Sequence, residues 1–211
     1  METSYRDRAA AGLILADRLA TIADHAAVIV LGLVRGGVPV AAAVAGRLGL
    51  PLDALVVRKL GLPQAPEVAF GAVGPGGVRI VNEGVAGRVG PDEVTEVIRR
   101  EVAELERRER LYRAGRPPLR LDGRTALVVD DGLATGATAR AAVAVCRQLS
   151  ADRVLVAVPV GSPEAYQALA KEADEVLCPL LPADFGAVSR FYVDFHEVSD
   201  EEVAATLAAG G

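Results

Sequence analysis

The stretch from Ala126 to Arg140, ALVVDDGLATGATAR, holds the densest chemistry in this 211-residue chain. An apolar run delivers two adjacent carboxylates, Asp130 and Asp131, to its carboxyl end, and a short Gly/Thr turn then opens a helix. In open α/β sheets, ligands bind beyond the carboxyl ends of the strands. A turn leading into a helix presents successive backbone N–H groups, which is a phosphate site. Ala134, Thr135, Gly136, Ala137 and Thr138 make that turn. The two threonine hydroxyls add donors, and Gly136 lets the backbone approach an anion closely. Carboxylates just upstream are not needed for phosphate itself. They accept hydrogen bonds from hydroxyls, and a ribose 2′,3′-diol meets that need. The segment therefore predicts a sugar 5-phosphate, with phosphate in the turn and the diol on Asp130 and Asp131.

The rest of the chain must position these groups. Ala27 to Leu33 is an unbroken apolar run that predicts a strand buried on both faces, stopped at Arg35-Gly36-Gly37. Helices are expected over 6–23, 38–48, 91–114, 137–149 and 163–171, and strands over 54–57, 68–73, 78–81, 126–129, 153–158 and 175–177. The stretch Gly61 to Gly77 reads as a long excursion, part hairpin and part mobile loop; such loops are usually functional. In the longest helix Val94, Ile98, Val102, Leu105 and Tyr112 form one stripe, and its alternating Glu and Arg predict a solvated face with i,i+4 pairs. The tail from Phe185 to Val203 reads as irregular and aromatic-rich. Strands alternating with helices argue for an α/β fold with a mostly parallel, twisted sheet flanked by helices. One domain over 1–211 is expected, with a core over about 24–178, a flexible loop over about 60–77 and a small C-terminal hood over about 179–203.

Composition excludes several classes. Apolar residues are 51% and charged residues 24%, an ordinary globular profile. With 23 basic and 28 acidic residues the net charge is −5, and no basic run supports nucleic-acid or anionic-membrane binding. No apolar run is long enough for a membrane span, and no signal-peptide pattern opens the chain, so a cytoplasmic location is expected. Cys146 and Cys178 have neither disulfide-framework nor zinc spacing. His25 and His196 are the only histidines, which leaves little for a zinc or Ser-His-Asp mechanism. Among the basic residues only Lys59 and Lys171 are lysines, so each invites a question.

The order apolar strand, two acidic residues, Thr-Gly-x-Thr resembles the phosphoribosyl-pyrophosphate (PRPP) signature of the type I phosphoribosyltransferases, and all of it is present here. The chain also resembles bacterial phosphoribosyltransferases whose substrates are poorly defined. Three further places match. Val34-Arg35-Gly36-Gly37 is similar to the family's pyrophosphate loop, where a basic residue and glycines expose amides to the leaving group. In many relatives that loop holds a non-proline cis peptide, which the resemblance places at Val34–Arg35 or Arg35–Gly36. Arg58-Lys59 precedes the long excursion, where the family carries a basic residue and a loop that closes over PRPP. Val193-Asp194-Phe195 resembles a Leu-Asp-Tyr of hypoxanthine-guanine enzymes, in which the Asp helps hold Mg²⁺. The aromatic that stacks the base lies upstream of it there; Phe185, Phe191 and Tyr192 are the candidates here.

The resemblance implies a Mg²⁺-dependent transfer of the phosphoribosyl group from PRPP to a nitrogen acceptor, most naturally a nucleobase, with release of pyrophosphate. Asp130 and Asp131 are the catalytic pair, Asp131 and Asp194 the metal candidates, and Arg35, Gly36, Gly37 and Lys59 the pyrophosphate contacts. A homo-oligomer is compatible with it. The alternative is a PRPP-sensing regulator without turnover, and a third class is a nucleotide-binding structural subunit. In hypoxanthine-guanine enzymes an aspartate stands where this chain has Ala134, and it handles the purine N7 proton. Gly132-Leu133-Ala134-Thr135-Gly136 is closer to adenine-type signatures. Glu67 or Glu83 is a substitute carboxylate. Poor use of hypoxanthine and guanine is expected, with adenine, a pyrimidine or another amine open.

Overall fold

The computed structural model describes residues 4–20 and 27–210. In chain order the elements are α1 (Arg8–Arg18), β1 (Val28–Leu33), α2 (Gly37–Leu48), β2 (Leu52–Leu55), β3 (Arg58–Leu62), β4 (Ala65–Val73), β5 (Arg79–Val81), α3 (Glu83–Ala86), α4 (Pro91–Tyr112), β6 (Thr125–Val129), α5 (Ala137–Gln148), β7 (Arg153–Ala157), α6 (Pro163–Leu169), β8 (Glu175–Leu177) and α7 (Asp200–Ala209). The alternation expected from the sequence is present. Five parallel strands form one sheet in the order β2-β1-β6-β7-β8.

Apolar runs make the central strands. All six residues of β1 and all five of β6 are buried, because helices cover both faces. Val28 and Val30 of β1 join one core with α1, α2, α4 and α7, while Ile29, Leu31 and Leu33 join the other with α5 and α6. That split is the two-residue period of a strand. Chain direction then creates the site. β1 leads outward to β2 and β6 leads the opposite way to β7, so the two central strands part company at their carboxyl ends. Such a switch point is where a crevice opens.

The long excursion is mostly strand. β3, β4 and β5 form a separate antiparallel sheet, and β3 joins β4 through only Pro63 and Gln64. Arg58 and Lys59 therefore lie inside β3, with Lys59 opposite Ala72, instead of preceding a loop. Two register shifts flank Gly61, where a side chain would meet the Pro66 carbonyl at 2.4 Å. The tail also departs from expectation. Ser199 caps α7 by accepting from the Glu202 N–H at 3.2 Å, and Val203 and Leu207 of that helix enter the first core. A third small core brings Tyr5 and Ala11 together with Val160, Phe185 and Tyr192.

The solvated face of α4 is only part of that helix. Glu104 pairs with Arg107 and Arg108, and Glu106 with Arg110. Glu101 and Arg113, however, are buried, and Val97 joins the stripe. Arg58 reaches Glu101 at 2.6 Å, which ties β3 to α4. Both cysteines are free thiols. Among the described residues, no helix is long and apolar enough to cross a membrane.

Candidate functional site

β6 ends at Val129, and Asp130 and Asp131 follow at the switch point. The segment after β7 braces the turn beyond them. The Asp130 N–H donates to the Ala157 carbonyl, the Leu133 N–H to Val160, and the Ser162 hydroxyl to the Ala134 carbonyl at 2.8 Å. Ser162 was invisible to sequence reasoning, because its role depends on β7 lying beside β6. Gly136 takes φ 75°, the left-handed conformation that glycine adopts without strain, and it opens α5.

Two helices begin at the crevice. Neither α2 nor α5 has a side-chain cap or an acidic residue in its first turn. By contrast α1, α3, α6 and α7 are capped by Asp7, Asn82, Ser162 and Ser199. The Ala137 N–H donates to the Thr135 hydroxyl at 3.4 Å and the Val38 N–H to the Arg35 carbonyl at 3.1 Å. The other first-turn N–H groups and the positive ends of two helix dipoles lie beside the acidic pair, an arrangement that suits a polyanion.

The glycine loop touches the carboxylates. A Cβ on Gly36 would fall 2.1 Å from Asp131 Oδ2, and one on Gly37 would fall 2.5 Å from the Val129 carbonyl and 3.0 Å from Asp130 Oδ1. Only hydrogen fits at both positions. The Val34–Arg35 peptide bond is cis, one of the two places expected. Arg35, Gly36 and Asp131 line one cavity of about 400 Å³ with Arg8, Phe195, His196, Glu197 and Val198. In it Arg35 pairs with Glu197 and lies 3.8 Å from Asp200. Lys59 lines a second cavity, of about 280 Å³, together with Ala137 at the start of α5, Asn82 and Arg140. It makes no ion pair among the described residues, whereas Arg140 pairs with Glu172.

Burial, followed by the neighbouring Asp131 charge, pushes the Asp130 carboxyl well above the usual carboxylate range. Burial also raises Asp131, and the Arg8 guanidinium pulls it back down. Asp130 Oδ1 accepts from the Asp131 N–H at 2.9 Å, and Asp131 Oδ2 accepts from Arg8 Nε at 2.9 Å. Among the described residues, no other residue donates to the remaining oxygen of either carboxylate.

The aromatic candidates divide. Tyr192 and Phe185 are nearly buried. The Tyr192 hydroxyl donates to the Asp131 carbonyl at 2.7 Å, and its ring packs between Tyr5 and Phe195. Phe185 stacks on Phe191 with centroids 5.7 Å apart. Phe185 and Tyr192 therefore belong to the small third core, and Phe191 is the partly exposed one. Val188 presses on Gly132, where a Cβ would meet it at 2.5 Å. The Asp194 carboxylate accepts from the His196 N–H and faces the imidazole at 3.2 Å; no contact joins it to Asp130 or Asp131. Glu83 opens α3 and is exposed, while the side chain of Glu67, like all of His25, lies outside the described residues.

The sequence model of the phosphoribosyl transferase domain matches residues 6–196. Relatives in two Mycobacterium tuberculosis strains, H37Rv and CDC 1551, carry provisional phosphoribosyl transferase names. Each is 50% identical over 205 residues, which is 96% of this chain and 46% of the relative. The chain thus spans about half the length of the curated relatives it matches. Among solved structures, TT1426 from Thermus thermophilus is similar with a TM-score of 0.89 and 44% identity, covering 98% of this chain and 99% of that one. A match across nearly the whole chain, over the acidic pair and both glycine-bearing turns, shows that the chain belongs to the phosphoribosyl transferase domain family.

Proposed function

We propose that the protein transfers the phosphoribosyl group of PRPP to a nitrogen acceptor and releases pyrophosphate. The observation that carries this reading is the convergence of two uncapped helix starts on one acidic pair, with glycines where the backbones meet. The amides of 134–138 receive the 5′-phosphate, Asp130 and Asp131 accept from the ribose diol, and Arg35 with the Gly36-Gly37 amides receives pyrophosphate. Lys59, on the far side of the α5 start, supplies a further cation. The carbon–oxygen bond from C1 to pyrophosphate breaks as the acceptor nitrogen bonds to C1. An oxocarbenium-like transition state asks the protein for positioning and charge compensation more than for covalent chemistry.

Mg²⁺ fits this donor set. It prefers oxygen ligands and keeps several waters. Each carboxylate of the pair has one oxygen that no other residue's donor reaches, and no cage of three acidic, histidine or cysteine side chains occurs among the described residues. Asp131 would hold the ion, and Asp194 would join only by leaving His196. When bound, the ion neutralises the negative charge that builds on the leaving group.

Two measurements test the reading. Calorimetric titration with PRPP should show saturable binding. Steady-state pyrophosphate release across a panel of nucleobases should then identify an acceptor. At Ala134 a methyl group faces solvent where an aspartate would assist purine N7. Such general-base help is worth about 10²–10⁴-fold, so hypoxanthine and guanine should rank low. Absence of PRPP binding would overturn the whole reading. A best rate with guanine would overturn only the acceptor argument.

A further inference from the structure

Among the described residues, Arg8 is the one basic side chain that pairs with the acidic pair, and the proposed reaction gives it no role. It is the first residue of α1, 123 positions from Asp131 in the chain. Its side chain is 8% exposed and that of Asp131 16%. Nε donates to Asp131 Oδ2 at 2.9 Å, and Nη2 lies 2.8 Å from the same oxygen as an ion pair. Nη1 donates to the His196 carbonyl at 2.8 Å, and the guanidinium carbon sits 3.9 Å from the centroid of the Phe195 ring. One planar fork thus joins three segments: α1, the end of β6 and the tail. A buried arginine placed only for bulk would not need an acid, a carbonyl and an aromatic face at once.

We propose that Arg8 is a positioning residue for ribose recognition. By taking Oδ2 it fixes the Asp131 rotamer and leaves Oδ1 as the acceptor for a ribose hydroxyl. By taking the His196 carbonyl and the Phe195 ring it sets that carboxylate in register with the tail. The assignment rests on the proposed PRPP reading. It adds that ribose affinity depends on a residue outside every signature segment. Geometry gives the reason that lysine is no equivalent. An ammonium lacks the planar fork that reaches an acid and a carbonyl while stacking on a ring.

The test separates ligands by which part of the site they touch. Inorganic phosphate needs only the 134–138 turn, ribose 5-phosphate needs the turn and the acidic pair, and PRPP needs all of it. Calorimetry with the three ligands is run on the wild type, Arg8→Gln and Arg8→Lys, with unfolding followed in parallel. In Arg8→Gln the affinities for ribose 5-phosphate and PRPP should fall about tenfold or more, while that for phosphate stays. Arg8→Lys should fall between wild type and Arg8→Gln for the two ribosyl ligands. It also carries the test alone if the glutamine variant does not fold. A proportionate loss for all three ligands would reduce Arg8 to a structural residue and overturn the proposal, and so would no loss for any. A wild type that binds phosphate but neither ribosyl ligand would instead overturn the PRPP reading, and this appears before any variant is made.

Discussion

The two residues of the acidic pair differ in what holds them. Asp130 accepts from its own neighbour's N–H, while Asp131 is held by a guanidinium from another element. Asp131→Asn offers a single oxygen, which can serve Arg8 or a ribose hydroxyl but not both. PRPP affinity should fall at least about tenfold, because charge-assisted hydrogen bonds are the stronger kind. Unchanged affinity in a calorimetric titration would remove Asp131 from the diol. The glycine loop gives a sharper contrast. Gly36→Ala places a methyl against the Asp131 side chain, which can swing away at the expense of ligand binding. Gly37→Ala places it against the Val129 carbonyl, part of the β6 backbone. The second variant should lose more stability, about 1–3 kcal/mol in denaturant unfolding, than the first. Equal losses in the two would contradict the difference in what each methyl meets.

Elements are anchored here by buried ion pairs more than by loops. Arg113 at the end of α4 donates from Nε and Nη2 to the two oxygens of Asp53 in β2, each at 2.9 Å. With Asp53→Ala the guanidinium stays buried without its acid. Breaking one partner of such a pair costs about 3–5 kcal/mol, and chemical unfolding should show it. A loss below about 1 kcal/mol would mean that Arg113 finds water or Glu109 instead. The α4–α7 contact gives a pH signature. Burial, helped by its hydrogen bond to Asp200, pushes the Tyr112 phenol up to about 12. A folded-state value above the ordinary 10 contributes stability that is complete below pH 10 and is lost as pH rises through about 12. Tyr112→Phe should therefore lower stability at neutral pH and flatten part of its fall in that alkaline window. An alkaline limb unchanged by the substitution would refute the assignment.

These anchors also explain what the sequence left hidden. The β6–turn–α5 unit was readable because strand, acidic pair and turn are contiguous, and each residue type has one local reason. Arg8, Asp53, Glu101 and Arg113 look like surface charges in sequence, since their partners are tens of residues away or more. β3 was hidden because Arg58-Lys59 lacks apolar alternation, and its evidence is the pairing with β4. α7 was missed for a weaker reason. Ser199 followed three residues later by Glu202 is a capping box visible in the sequence. The resemblance puts Phe185, Phe191 and Tyr192 forward as acceptor contacts; burial of Phe185 and Tyr192 and the bond from the Tyr192 hydroxyl to the Asp131 carbonyl depend on packing that sequence does not display.

At the scale of the whole molecule, the segment just before α1 and the tail before α7 meet beside the site. The Tyr5 N–H donates to the Phe191 carbonyl at 2.7 Å, the Val193 N–H to Tyr5 at 2.8 Å, and the Asp194 N–H to Arg6 at 2.9 Å. The Tyr5 hydroxyl reaches the Pro159 carbonyl beyond β7 at 2.7 Å. Tyr5 and Arg6 thus pair with the tail through a single parallel bridge at Tyr5 and Tyr192, and Asp7 caps the helix that carries Arg8. Deleting residues 1–7 removes the tail's hydrogen-bond partners and the cap, but no residue of the parallel sheet. Hydrogen exchange separates these effects, because local opening is read amide by amide. The Val193 and Asp194 amides should become fast-exchanging while those of β6 stay protected, and PRPP affinity should fall through the loosened Arg8. If Val193 and Asp194 stayed slow in the truncated protein, the Tyr192 hydroxyl, the aromatic contacts and the Arg8–His196 bond would hold the tail without that segment. Slow exchange lost in β6 as well would show that the N-terminal segment supports the whole sheet and not only the cover of the site.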